Sequence, residues 1–137
     1  MSYAGDVTPE QAYAAVTGPE RALLVDVRSR AEWTFAGVPL LEGDADAVAF
    51  VEWSSFPTGW LNDGFVDEVL AAGLTPGRPV YLLCRSGVRS KAAADALTAA
   101  GLGPAYNILD GFEGGFDAAG HRSVSGWKNA GLPWRQG

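Results

Sequence analysis

The chain has 137 residues, 47% of them hydrophobic and 19% charged, with five tryptophans, six phenylalanines and four tyrosines. That composition excludes a disordered chain, and the length suits one domain over 1–137 that buries roughly two-thirds of its unfolded surface. A formal net charge of −6 and a pI near 4.6 argue against nucleic acid or an anionic membrane as the main partner.

In chain order, "MSYAGDVTPE" lacks the basic and apolar regions of a signal peptide. No run of about 18 apolar residues follows it, so no membrane span is expected and a reducing cytoplasm is the expected location. Thr8, Pro9 and Gln11 form a capping box that starts a helix. "ALLVDV" (22–27) is a continuous apolar run of strand type. Ser29 and Glu32 form a second capping box, opening a short helix through about Phe35. Residues 46–52 predict another strand, and the Pro, Gly and Ser of 53–60 predict a loop.

Further on, Asn62 is placed to cap a helix over 63–72, with Phe65, Val66, Val69 and Leu70 on one face and Gly73 at its end. "VYLLC" (80–84) is a strand, Ser86 to about Ala100 an alanine-rich helix, and "AYNIL" (105–109) a strand. The glycine- and aromatic-rich remainder predicts one or two short helices. Strands alternating with helices imply an α/β fold with a mostly parallel sheet covered on both faces. In such sheets ligands gather at the carboxyl ends of the strands. Cys84 stands at one of those ends.

The stretch "LLCRSGVRS" (82–90) holds the single cysteine, two arginines, two serines and a glycine. Between Ala31 and Gly77 there is no Lys or Arg, while Glu42, Asp44, Asp46, Glu52, Asp63, Asp67 and Glu68 fall there. Arg85, Arg89 and Lys91 then cluster with no acid among them, which reads as a small anion site on an anionic protein. The competing reading is a solvated helix face.

One cysteine excludes an internal disulfide framework and a multi-cysteine zinc site, and His121 is the only histidine. At a strand-to-helix turn the backbone N–H groups converge and the helix dipole adds positive potential. Helix N-termini and nearby cations lower a cysteine pKa from about 8.5 into the range of roughly 3.5–7.5. A substantial thiolate fraction at neutral pH is therefore expected of Cys84. Gly87 lets the amides of the turn, Val88 included, approach one another. Ser86 and Ser90 add hydroxyl donors, with Ser86 also able to cap the helix. Arg85 and Arg89 offer donor forks to an oxyanion. A lone cysteine ending an apolar strand is more often an inert core residue, but such a residue needs no donor-rich turn.

The chain resembles the rhodanese family of sulfurtransferases. "CRSGVRS" is similar to that family's active-site loop, and "LLVDVRSRAEW" (23–33) to its early strand and acidic helix. Gly37 and Pro39 resemble its next turn, and "YNILDGFEG" and "GWKNAGLPW" its last strand and C-terminal segment. The family's frequent G-H-I-P reads "GVP" at 37–39 here, so that histidine is missing.

The resemblance implies a rhodanese-like fold with a central sheet of about five strands. It implies that Cys84 attacks a sulfane sulfur of thiosulfate or a persulfide donor and becomes a persulfide. Cyanide, a thiol or a sulfur-carrier protein then takes that sulfur, with no metal or organic cofactor. Residues 85 to 90 would surround the donor, Arg85 and Arg89 seating its sulfonate end. A buried Asp26, paired with an arginine or backbone amides, and Arg28 are expected to support the site from behind. Two rivals stand beside this. One is a protein tyrosine or dual-specificity phosphatase, or an arsenate reductase, using the same loop. Only four residues separate Cys84 from Arg89, one fewer than the phosphatase spacing. The other is a non-catalytic docking or redox-sensing module.

Overall fold

The computed structural model describes residues 3–18, 22–41, 48–54, 58–85, 87–115, 118–121 and 125–135. Its elements run β1 (Gly5–Val7), α1 (Pro9–Val16), β2 (Leu23–Asp26), α2 (Arg30–Ala36), β3 (Val38–Pro39) and β4 (Val48–Phe50). They continue with α3 (Phe65–Ala71), β5 (Val80–Leu83), α4 (Val88–Ala99), β6 (Ala105–Ile108) and β7 (Trp134–Arg135). Five strands form one sheet in the order β1-β6-β5-β2-β4, with every neighbouring pair parallel. The short strands β3 and β7 pair antiparallel beside it.

Sequence periodicity explains why the sheet is covered twice. Strands β2 and β5 are buried along their whole length, so successive side chains enter opposite cores. Leu23, Val25, Val80 and Leu82 pack with Phe65 and Val69 of α3 and with Ala93, Ala94 and Leu97 of α4. On the other face Leu24, Tyr81, Leu83 and Ile108 meet Ala12 and Val16 of α1, closed over by Phe112 and Trp127. Each fully buried leucine contributes roughly 1.5–3 kcal/mol. The small residues Ala93 and Ala94 leave no exposed surface and present only methyl groups to the sheet.

Both capping boxes form. Thr8 Oγ1 accepts Gln11 N–H while Gln11 Oε1 accepts Thr8 N–H. Ser29 and Glu32 do the same at the head of α2. Three expectations differ. The cap of α3 is Gly64, because Asn62 uses its side chain to accept Gly64 N–H and to donate to Glu52 O and Glu68 Oε2. Helix α4 starts at Val88 with Gly87 as its cap and no side-chain cap bond. Ser86, offered as that cap, lies outside the described residues. The C-terminal segment contains turns and β7 in place of helices among its described residues. Strands β1, β3 and β7 were not legible, since two or three residues are too few to show a period of two.

At the carboxyl end of β2 the chain buries a charge pair. Arg28 Nε and Nη2 donate to Asp26 Oδ1 and Oδ2 at 2.9 and 2.6 Å, with both side chains at 0% exposure. Arg28 Nη2 also donates to Gly37 O at 2.8 Å, and its guanidinium carbon lies 4.3 Å from the centre of the Phe112 ring. Such a pair contributes little net stability while intact, but removing one partner leaves the other buried and uncompensated. Asp26→Ala is therefore expected to destabilise the fold by about 3–5 kcal/mol. Chemical denaturation read by tryptophan fluorescence measures this directly.

Candidate active site

Cys84 follows β5 immediately and is 1% exposed, with its backbone part of the floor between β2 and β6. Its neighbours include core residues on the α3/α4 face. The sulfur nevertheless faces polar partners. Gly87 N–H donates to Sγ at 3.0 Å, and Ser90 Oγ lies 3.2 Å from it. The chain turns back so tightly because Gly87 adopts φ 112°, a left-handed backbone that side-chain-bearing residues rarely take. That turn aims the first amides of the twelve-residue helix α4 at the end of β5.

The loop is held from two sides. On one side the turn after β6, the strand next to β5, crosses it. Phe112 N–H donates to Cys84 O at 2.7 Å, and the N–H groups of Glu113 and Gly114 both donate to Arg85 O. Gly111 sits in this crossing at φ 57°, and a Cβ there would meet Cys84 O and lie 2.7 Å from the Arg85 carbonyl carbon. Backbone passes over backbone with no room for a side chain.

From the other side comes Glu32. Arg89 donates from both terminal nitrogens to the two Glu32 oxygens at 2.6 and 2.8 Å. The same Glu32 Oε1 accepts Ser29 N–H and Ser29 Oγ–H. Burial works to raise the Glu32 carboxyl, but the Arg89 and Ser29 hydrogen bonds and the Arg89 charge outweigh it and hold it at about 2. Arg89 is raised in return, first by its hydrogen bond to Glu32.

These contacts assign the expected site residues different positions. Cys84, Gly87 and Ser90 come together at the sulfur. Val88 opens α4 and is 76% exposed at the rim. Arg89 directs one N–H from each terminal nitrogen to Glu32. Arg85 is half exposed, and its Nε pairs with Glu113 Oε2 at 3.3 Å. Such an exposed pair adds little to stability. Asp26 and Arg28 bind each other behind the loop. Ser86 is outside the described residues, as are parts of the 116–126 segment. His121 is exposed, and Trp127 is fully buried in the core.

The sequence motifs do not mark Glu113 or Asn107 as participants, mark Glu32 only as a helix cap, and mark Gly111 as a turn residue beside the last strand. Asn107 is fully buried in β6, where its amide joins Ser90 to Asp6. An asparagine inside the apolar run "AYNIL" was the available signal, because a buried amide requires partners.

A parallel sheet with a cysteine loop at its carboxyl edge defines a class already known. The sequence pattern of the Rhodanese-like domain matches residues 8–118. The crystal structure of Rv0390 from M. tuberculosis shares 53% of its sequence with this chain and superposes with a TM-score of 0.88, covering 99% of this chain and 100% of that one. An uncharacterized protein of Rickettsia conorii is 36% identical over 131 residues, 95% of this chain and 96% of its own. A rhodanese-like domain protein from Staphylococcus aureus, 17% identical, shares the fold at a TM-score of 0.63, over 97% of this chain and 98% of its own. The chain belongs to the rhodanese-like domain family.

Two measurements test this geometry. Glu32→Gln keeps the capping box but weakens the Arg89 bond, and is expected to lower stability at pH 7 by about 1–3 kcal/mol. Because the folded carboxyl lies at about 2 and the ordinary value is 4.5, that deficit is complete above pH 4.5 and fades as pH falls towards 2. Denaturation midpoints across that range check the sign. Gly111→Ala forces the crossing apart and is expected to lose about 1–3 kcal/mol of stability, with Cys84 reactivity towards alkylating agents changing alongside.

Proposed function

We propose that this protein is a sulfurtransferase that carries sulfane sulfur on Cys84. The thiolate attacks the outer sulfur of thiosulfate or of a persulfide donor. One S–S bond forms at Cys84 while the donor's S–S bond breaks, and sulfite or the donor thiolate leaves with that electron pair. A thiophilic acceptor, cyanide in the assay or a thiol or sulfur-carrier protein in the cell, then takes the outer sulfur and regenerates the thiolate. Sulfur itself carries the reaction, which requires neither a metal nor an organic cofactor. The reading places the protein in the cytoplasm, where a lone reactive thiol stays reduced.

The observation that carries this reading is the Gly87 N–H on the sulfur at 3.0 Å, at the head of α4. An amide donor and a helix N-terminus stabilise an anionic sulfur as thiolate and again as persulfide. Membership of a family that is in general one of sulfurtransferases supports it further. Half-exposed Arg85 is the residue through which the anionic end of a donor is met, by exchange of Glu113. Arg89 acts from behind, holding the first turn of α4 in place. Against a phosphatase stands the loop spacing, since only four residues separate Cys84 from Arg89, one fewer than that chemistry uses.

Intact-mass analysis after thiosulfate treatment is the test. The expected result is a gain of one sulfur atom that cyanide removes as thiocyanate. Cys84→Ala is expected to abolish both, with turnover falling by about a thousandfold or more. Hydrolysis of an aryl phosphate without any sulfur gain would instead establish the phosphatase reading. A folded protein that gains no sulfur and hydrolyses nothing would be a docking or sensing module.

A further inference from the structure

A chain of polar side chains leads from the nucleophile through the sheet to its edge. Ser90 Oγ lies 3.2 Å from Cys84 Sγ and 2.5 Å from Asn107 Oδ1. Asn107 Nδ2 donates to Asp6 Oδ1 at 2.9 Å, and Tyr3 Oη donates to the same oxygen at 2.8 Å. Asp6 stands opposite Asn107 in the β1–β6 register, 101 residues away in sequence. Ser90 and Asn107 are fully buried, whereas Asp6 is exposed.

Hydrogen-bond polarity runs along this chain in one direction. An ionised carboxylate only accepts, so Asp6 obliges Asn107 to present its NH2 group. The Asn107 carbonyl then faces Ser90, which must donate its single hydroxyl proton there. Ser90 is left with only lone pairs to turn towards the sulfur. A thiol satisfies that arrangement by donating S–H to Ser90. A thiolate does not, because two electron-rich atoms would then face each other at 3.2 Å. To ionise, either that repulsion is accepted or Ser90 swings its proton to sulfur and leaves the buried Asn107 carbonyl without a donor. The Asn107 amide cannot relay a proton, so this chain offers the sulfur no proton path to Asp6.

We propose that Asp6 is a positioning residue for Cys84, directing the Ser90 hydroxyl away from the sulfur through Asn107 and so restraining thiolate formation in the resting site. The inference rests on Cys84 being the nucleophile of the function proposed above. Asp6 is suited to the role because the Asn107 amide, then the Tyr3 hydroxyl, keep its carboxyl below the ordinary carboxylate range despite some desolvation, and Lys91 of α4 adds to this. The restraint opposes the Gly87 N–H, which favours the thiolate. It keeps the resting sulfur in its less oxidisable form.

Other charges bear on both ends of the chain. Near the sulfur they are Arg89 with Glu32, Arg85 with Glu113, and Asp26 with Arg28. Near Asp6 they are Tyr3 and Lys91, with Asp95 of α4 accepting the Tyr3 backbone N–H. Replacing Asp6 removes a negative charge as well as an acceptor, and the experiment must separate the two.

Alkylation of Cys84 by iodoacetamide as a function of pH, measured in wild type, Asp6→Ala, Ser90→Ala and the double variant, makes that separation. In Asp6→Ala the Asn107 amide is free to turn, water replaces the carboxylate, and Ser90 can donate to sulfur. The profile is expected to move to lower pH, with the rate on its acidic limb rising on the order of three- to tenfold, the range one hydrogen bond sets. In the Ser90→Ala background the Asp6→Ala change is expected to shift the profile far less, by the loss of charge alone. A shift of undiminished size without Ser90 overturns the proposal. An unshifted profile in Asp6→Ala, in protein that still takes one sulfur from thiosulfate, overturns it while leaving the sulfurtransferase reading intact. A Cys84 that no variant makes reactive overturns both. Thermal unfolding of each variant confirms that the comparison is between folded proteins, and Asp6 is exposed enough to be replaced without opening the core.

Discussion

The bidentate ion pair between Glu32 and Arg89 joins the first turn of α2 to the first turn of α4, across 57 residues of sequence. Glu32 is already committed to the start of its own helix through Ser29, so the pair transmits the position of one helix head to the other. With Arg89 fixed, the first turn of α4 cannot rotate about the sheet edge, and the Gly87 amide stays aimed at Cys84. The loop's other support, the hydrogen bonds from Phe112, Glu113 and Gly114, holds backbone to backbone and carries no charge. One support orients the helix and the other fixes the strand end.

This arrangement changes the meaning of the positive charge around the thiol. Arg85 and Arg89 are each matched by a carboxylate in the free protein, so the site is not a bare cationic bowl. The donor that touches the sulfur is the Gly87 amide at the head of α4, which is fixed by the fold and requires no counter-ion. The two pairs are not equivalent. Arg89 with Glu32 is partly buried and doubly bonded, while Arg85 with Glu113 is a single contact at the surface.

Burial has a second consequence. Asp26, Arg28, Ser90 and Asn107 are all without solvent contact, and each sits on or beside the carboxyl edge of the sheet. In an apolar interior polar groups bind only when their donors and acceptors match, so each constrains the next. Cys84 ends one such chain. Its sulfur is consequently joined, through Ser90 and Asn107, to Asp6 at the edge of the sheet.

Much of the molecule is legible in its amino-acid order. Both capping boxes, the strands around 22–27, 80–84 and 105–109, and the alanine-rich helix follow from local periodicity and cap chemistry, which act over a few residues. The loop's proximity to a strand end and a helix head was equally local, since Cys84, Gly87 and Ser90 lie within seven positions. What the amino-acid order alone could not supply were the partners that arrive from elsewhere. Glu32 reads as a cap until Arg89 is brought to it, and Gly111 reads as a turn residue until its backbone is laid across Cys84 and Arg85. Asn107 and Asp6 carry no local mark of belonging together. Their pairing depends on β1 docking beside β6, a contact made by the first and last strands of the main sheet. Local pattern determined which residues could do chemistry, and parallel strand order, which joins distant segments, decided what each of them faces.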